Sequence, residues 1–159
     1  MELTASLKSK DGEGIGFAFM RYKNTDAYAA VAAHVSVDKE NGKVRVLKLW
    51  AAVDVGEVIN LDGIINQTEG GMIQAASWTL KEQVTFNPHE VTSTDWITYP
   101  ILRHSEIPEV EVAIIDRPNE PVSGAGEVPM PPTSAAIANA VYRACGTRVY
   151  DLPIRIHKK

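Results

Sequence analysis

The hydrophobic period of the chain changes between Val44 and Gln83, and this change limits the fold more than any other feature. In the stretch VRVLKLWAAVDV, Val44 and Val46 alternate as a half-buried strand requires. The alternation loses phase from Leu47 to Trp50, which predicts a bulge or burial on both faces. From Asn60 to Gln83 the pattern is helical. Ile65, Met72, Ile73, Ala76 and Leu80 fall near one face of a 3.6-residue helix, and Asn60 or Asp62 is placed to cap its start.

The flanking segments extend this reading. GIGFAFMRY (Gly14–Tyr22) and AYAAVAAHVSV (Ala27–Val37) read as strands, and Asn41-Gly42 marks a hairpin between Val37 and Val44, because φ > 0 is readily adopted there. VTSTDWITY (Val91–Tyr99) and EVEVAIID (Glu109–Asp116) are short β-like pieces; in the second, Val110, Val112 and Ile114 alternate with Glu109, Glu111 and Ala113. A last helix is capped at Thr133 or Ser134, carries Ile137, Val141 and Ala144 or Cys145 on its apolar stripe, and stops at Gly146. Strands joined by a tight hairpin, with single helices between them, predict an α+β fold: a mixed or antiparallel sheet with two main helices. One domain is expected over residues 14–156, with flexible segments at 1–13 and 157–159.

Charge and cysteine usage exclude several functions. The 159 residues carry a formal net charge of −4, and the only basic block is His157-Lys158-Lys159, so there is no electrostatic footprint for nucleic acid or an anionic membrane. Cys145 is the single cysteine, which rules out an internal disulfide, a cysteine-rich zinc site or an iron–sulfur cluster ligated by this chain alone. His34, His89, His104 and His157 are far apart in sequence, so no metal held by protein side chains is expected. There is no apolar run long enough to span a membrane and no signal-peptide core, and the expected setting is cytoplasmic.

Two places stand out as candidates for chemistry. Gly70 and Gly71 interrupt the helix, each costing about 1 kcal/mol relative to alanine. They share a face with Gln67 and Gln74 at i, i+3, i+4 and i+7. That face suits either a tight crossing with another element or the close approach of a polar ligand. Glu127 is the second, on a loop shaped by Gly124, Gly126, Pro129, Pro131 and Pro132 ahead of the last helix. A solvated carboxylate near a positive helix end is the plain reading; in an apolar, water-poor pocket the same carboxylate becomes a general base near neutrality. Gly12, Gly14 and Gly16 lack the residues of a phosphate loop, and Ser77, Ser123 and Ser134 lack the context of a hydrolase nucleophile. Trp50, Trp78 and Trp96 read as core or interface anchors.

AAVDVGEVINLDGIINQTEGGMIQAASWTLKE, followed about sixty residues later by GAGE, PTSAAIANAV and LPI, resembles the C-terminal end of the large subunit of molybdenum hydroxylases, the xanthine dehydrogenase/aldehyde oxidase family. The flavour is that of the bacterial branch with nicotinate and isoquinoline dehydrogenases, and the resemblance runs from about Gly14 to Ile154. It implies the fold of the family's C-terminal molybdopterin-binding domain. It further implies that Glu127 is the base that deprotonates a molybdenum-bound water or hydroxide, whose oxygen attacks an aldehyde or N-heterocycle. Gln67 matches the glutamine that hydrogen-bonds the molybdopterin, with Gly70, Gly71 and Gln74 beside the cofactor. Val128 stands where many relatives have proline, and Ala75 where glycine is common. The family also implies a molybdopterin cofactor, in its cytosine dinucleotide form. Its partners would be the remainder of the large subunit and a small subunit with two [2Fe–2S] clusters. On this reading the 159 residues are a C-terminal piece or one product of a split gene, inactive alone. The competing expectation is a non-catalytic interaction domain that keeps the fold and self-associates or binds a partner through exposed apolar surface.

Overall fold

The computed structural model describes residues 10–24 and 26–156; residues 1–9 and 157–159, most of the two ends expected to be flexible, lie outside the described residues. The elements are β1 (Glu13–Arg21), β2 (Tyr28–Val37), β3 (Val44–Asp54), α1 (Leu61–Leu80), β4 (Glu109–Ile115) and α2 (Met130–Cys145), with single 3-10 turns at Tyr22–Asn24 and His104–Glu106. The sheet order is β1-β2-β3-β4. β1, β2 and β3 are antiparallel neighbours, and β4 joins β3 in parallel, across the helical connection that a parallel neighbour requires. The sheet is therefore mixed and the fold α+β.

The phase break falls at Leu47. His34 pairs with Lys48 and Val35 with Val46, so Leu47 is the extra residue of a bulge. The hairpin connects β2 to β3 through a six-residue loop, 38–43, rather than a two-residue turn at Asn41-Gly42. Asp38 decides this: its carboxylate accepts from the backbone N–H groups of Glu40 and Asn41, a local satisfaction that widens the turn. α1 begins where expected, with Asn60 Oδ1 accepting from Gly63 N at 2.8 Å.

Two expectations are corrected. Val91–Tyr99 forms no strand; only a single bridge joins Phe86 to Val91. Asp95 and Thr98 explain the difference, because the Asp95 carboxylate takes the N–H groups of Ile97 and Thr98 and folds the segment on itself. α2 starts at Met130, ahead of Thr133, and Pro129 occupies the cap position without a side-chain hydrogen bond. Pro131 and Pro132 fit the first turn, whose N–H groups have no intrahelical partner, so their missing donors are not felt. Gly146 ends the helix as expected.

One face of the sheet is covered by the helices. Ala29, Val31, Ala33 and Val35 of β2 are fully buried there, together with Ala136, Ile137 and Ala140 of α2. β1 contributes glycines to this face. A Cβ on Gly16 would stand 2.1 Å from the Ala136 carbonyl oxygen and one on Gly14 2.2 Å from that of Ala140, so α2 lies directly on the strand backbone. The opposite face is open, with Phe17 and Phe19 about 60% exposed. Among the described residues no helix is long and apolar enough to cross a membrane.

Ser134, a serine without hydrolase context, joins the two helices. It accepts from Trp78 Nε1 at 2.9 Å, and its hydroxyl and that of Thr79 share a hydrogen bond of 2.7 Å. Ser134→Ala leaves a half-buried indole N–H without its acceptor and is expected to destabilise the chain by about 1–3 kcal/mol. Urea unfolding checks this, and an unchanged midpoint would show that water replaces the hydroxyl.

Candidate active site

The loop from Asp116 to Pro129 is held at three levels by the connection between β3 and α1. Arg117 forms an ion pair with Asp54 (Nε–Oδ2 2.8 Å), and Asp54 is itself only 14% exposed. Ser123 N donates to the Val55 carbonyl at 2.8 Å, and Glu57 N to that of Glu120 at 3.3 Å. Gly56, at φ 77°, lies so near Pro121 that a Cβ would meet its carbonyl oxygen at 2.0 Å. Asp54-Val55-Gly56-Glu57 is therefore more than a turn between two elements: it is the clamp that sets where the glycine loop emerges.

The tip of that loop meets the first half of α1. Gln67 Nε2 donates to the Gly126 carbonyl at 2.8 Å, which binds residues 59 positions apart. Met130 N donates to the Glu127 carbonyl at 3.1 Å, so Glu127 is fixed from both sides of its own peptide. The following Val128 is fully buried in the core. This gives the residue that stands in place of proline a packing role: its side chain anchors the loop while Glu127 points outward.

Four of the five candidate residues are exposed on this edge: Glu127, Gln67, Gly70 and Gln74. Gly71 is placed differently. It is buried, and a Cβ there would stand 3.3 Å from Met130 Cγ and 3.4 Å from Pro129 Cγ. The glycine pair therefore divides its roles: Gly71 lets α1 close on the start of α2, and Gly70 leaves bare backbone open, with nothing within 4 Å of where a Cβ would be. Gly124 and Gly126 are equally open. Glu127 does not sit in an apolar pocket within this chain, because its glycine neighbours carry no side chains to cover it.

Among the described residues Glu127 has one side-chain partner, and the sequence reading missed it. The Tyr22 hydroxyl, from the 3-10 turn after β1, donates to Glu127 Oε2 across 105 positions of sequence. That hydrogen bond, reinforced by desolvation and by the carboxylate charges of Glu127 and Asp26, raises the Tyr22 phenol above the ordinary tyrosine range. Tyr22 is offered by a turn whose next residue, Lys23, has φ 48°, uncommon for a residue other than glycine. No local motif marks the residue.

A sizeable cleft lies away from these residues. It encloses ≈ 620 Å³ at the far end of α1 and is lined by Lys43, Arg45, Lys81 and Arg103 among others, and by none of the five candidates. A smaller hollow of ≈ 210 Å³ adjoins the loop, walled by Val55, Ile59, Ile64, Val122 and Ala125. The chemistry indicated by the residues belongs to the open edge: a carboxylate that can take a proton, a phenol bound to it, and neutral amides beside bare backbone.

Comparison with known proteins matches the molybdopterin cofactor-binding domain to residues 4–108, a span that stops short of the Gly124–Glu127 loop. A nicotinate dehydrogenase subunit of Pseudomonas putida is 41% identical over 147 residues, covering 89% of this chain and 12% of that protein. The beta chain of the isoquinoline 1-oxidoreductase of Brevundimonas diminuta is 31% identical, covering 91% of this chain and 18% of that protein. Among solved structures, quinoline 2-oxidoreductase from Pseudomonas putida 86 superposes with a TM-score of 0.74 at 27% identity, over 80% of this chain and 17% of that one. The aldehyde oxidoreductase of Desulfovibrio gigas gives 0.70 at 28% identity, over 80% of this chain and 14% of that one. The chain thus spans less than a fifth of each of these relatives.

Proposed function

Because the chain belongs to the molybdopterin cofactor-binding domain family, that of the molybdenum hydroxylases, we propose that it forms one wall of a molybdopterin pocket and supplies at Glu127 the general base. The observation that carries this reading is the convergence, on one exposed edge, of the Glu127 loop and the Gln67–Gln74 half of α1, tied by the Gln67–Gly126 hydrogen bond.

The donor set fits such a group. Gln67 and Gln74 offer neutral amides, and the open backbone at Gly70, Gly124 and Gly126 admits a flat, anionic ring system without steric conflict. Gln67, Gly70 and Gln74 would hold it, while Gly71 maintains the packing of α1 on Pro129 and Met130. The molybdenum cofactor, when bound, supplies the two-electron oxidation that no side chain can perform. Glu127 takes the proton from a water-derived nucleophile onto its carboxylate, and the Asp54–Arg117 ion pair tethers the start of the loop that carries it.

The substrate class is a small aldehyde or an N-heterocycle, the classes carried in the names of the relatives. The fold does not choose between them. The cytosine dinucleotide form of the cofactor, [2Fe–2S] clusters on a separate chain, and the remainder of the large subunit complete the proposed enzyme. The open sheet face with Phe17 and Phe19 offers apolar area for that remainder. The location we propose is cytoplasmic.

Co-expression with the genes for the remaining large-subunit region and the small subunit tests the assembly. The expected result is that the tagged chain retains both partners together with stoichiometric molybdenum. A metal-free chain purified alone, from cells competent in cofactor synthesis, would overturn the reading and leave a non-catalytic interaction domain.

A further inference from the structure

Tyr22 and Glu127 meet although one belongs to the turn after the edge strand and the other to the glycine loop. Glu127 is exposed, whereas Tyr22 is half-buried, its ring packed against the hydrophobic core. The Tyr22 backbone is secured separately, its N–H donating to Ala27 O at 2.7 Å and its carbonyl accepting from Asp26 N at 3.0 Å. The Lys23 ammonium lies 5.3 Å from the centre of the ring. The phenol is thus a fixed donor aimed at one oxygen of the carboxylate. Glu127 Oε1 has no hydrogen-bond partner among the described residues.

We propose that Tyr22 is the positioning residue of the site: its hydroxyl immobilises Glu127 Oε2 and so selects Oε1 as the oxygen that accepts the proton. This inference rests on Glu127 being the base. A glutamate on a loop with glycines at two of the three preceding positions, Gly124 and Gly126, has few steric limits on its side-chain torsions, and a single fixed donor removes most of that freedom. General-base transfer requires the accepting oxygen within hydrogen-bond reach of the proton, so a carboxylate that wanders by an ångström loses much of its effect. The hydroxyl remains a donor throughout the neutral range, because its environment holds the phenol above its ordinary titration range. Tyr22 neither gains nor loses a proton in the reaction; the proton passes from the nucleophile oxygen to Oε1 alone.

The test has two readouts. In the 159-residue chain labelled with ¹³C at the tyrosine Cζ, the Tyr22 signal is identified by its absence in Tyr22→Phe. In Glu127→Ala, which removes the acceptor altogether, its titration midpoint is expected to fall towards that of an ordinary tyrosine; an unchanged midpoint would overturn the contact. In the assembled enzyme, Tyr22→Phe is expected to lower kcat roughly tenfold or more at unchanged KM and molybdenum content. Wild-type kcat in Tyr22→Phe, beside a strong loss in Glu127→Gln, would overturn the positioning role alone. Wild-type turnover in Glu127→Gln would instead remove the base assignment on which the inference stands.

Discussion

Replacing Glu127 by glutamine is expected to reduce turnover of the assembled enzyme by at least about 100-fold, the lower end of what a positioned general base contributes, with molybdenum content unchanged. The substitution is nearly isosteric. Its amide oxygen can still accept the Tyr22 hydroxyl, and the backbone bond from Met130 N to the residue 127 carbonyl involves no side-chain atom. The loop should therefore keep its place. What is lost is a carboxylate able to accept a proton, which the neutral amide cannot replace. Cofactor retention should survive, because the proposed holding groups, Gln67, Gly70 and Gln74, lie on α1 and not on the loop. Metal analysis beside steady-state kinetics separates the outcomes. Turnover within a few-fold of wild type would end the base assignment, and joint loss of molybdenum and turnover would make Glu127 a cofactor-holding residue.

The second large effect lies in the scaffold. Gly16→Ala is expected to destabilise the chain by about 3 kcal/mol or more, at the upper end of overpacking penalties. The added methyl would meet the Ala136 carbonyl oxygen at 2.1 Å and the Ala140 amide nitrogen at 2.2 Å. Both are backbone atoms of α2, so no rotamer change relieves the conflict; the helix itself must move away from β1. Gly70→Ala is the contrast. It introduces the same methyl into open space on α1, where helix propensity favours alanine by about 1 kcal/mol. Urea midpoints of the two variants should move in opposite directions. Equal midpoints for wild type and Gly16→Ala would show that α2 does not lie on the strand. The link to function is direct, since α2 begins at Met130, three residues after Glu127.

Much of the fold was legible because its signals are local. The period change at Asn60 located α1, the loss of phase near Leu47 located the bulge, and Gly146 ended α2. Reading failed where side chains compete with the ladder: Asp95 and Thr98 turned a β-like run into a folded loop, and Pro129 to Pro132 moved the helix start forward. The glycines of β1 were read only as failing to be a phosphate loop. Their role as a seat for α2 depends on an element more than a hundred residues away.

The same division holds at the candidate site. From the sequence alone came the α+β class, the pairing of a Gln67–Gln74 face with a Gly124–Glu127 loop, and the family to which that pairing is similar, because each is a matter of residue type and spacing. The tertiary structure alone decided that Gly71 is packed and Gly70 open, that Asp54 and Gly56 clamp the loop, and that Tyr22 holds Glu127. The physical reason is that contacts between distant segments are set by how two elements close on one another. A single tyrosine in a surface turn carries no periodicity, cap or turn signal that names its partner 105 positions away.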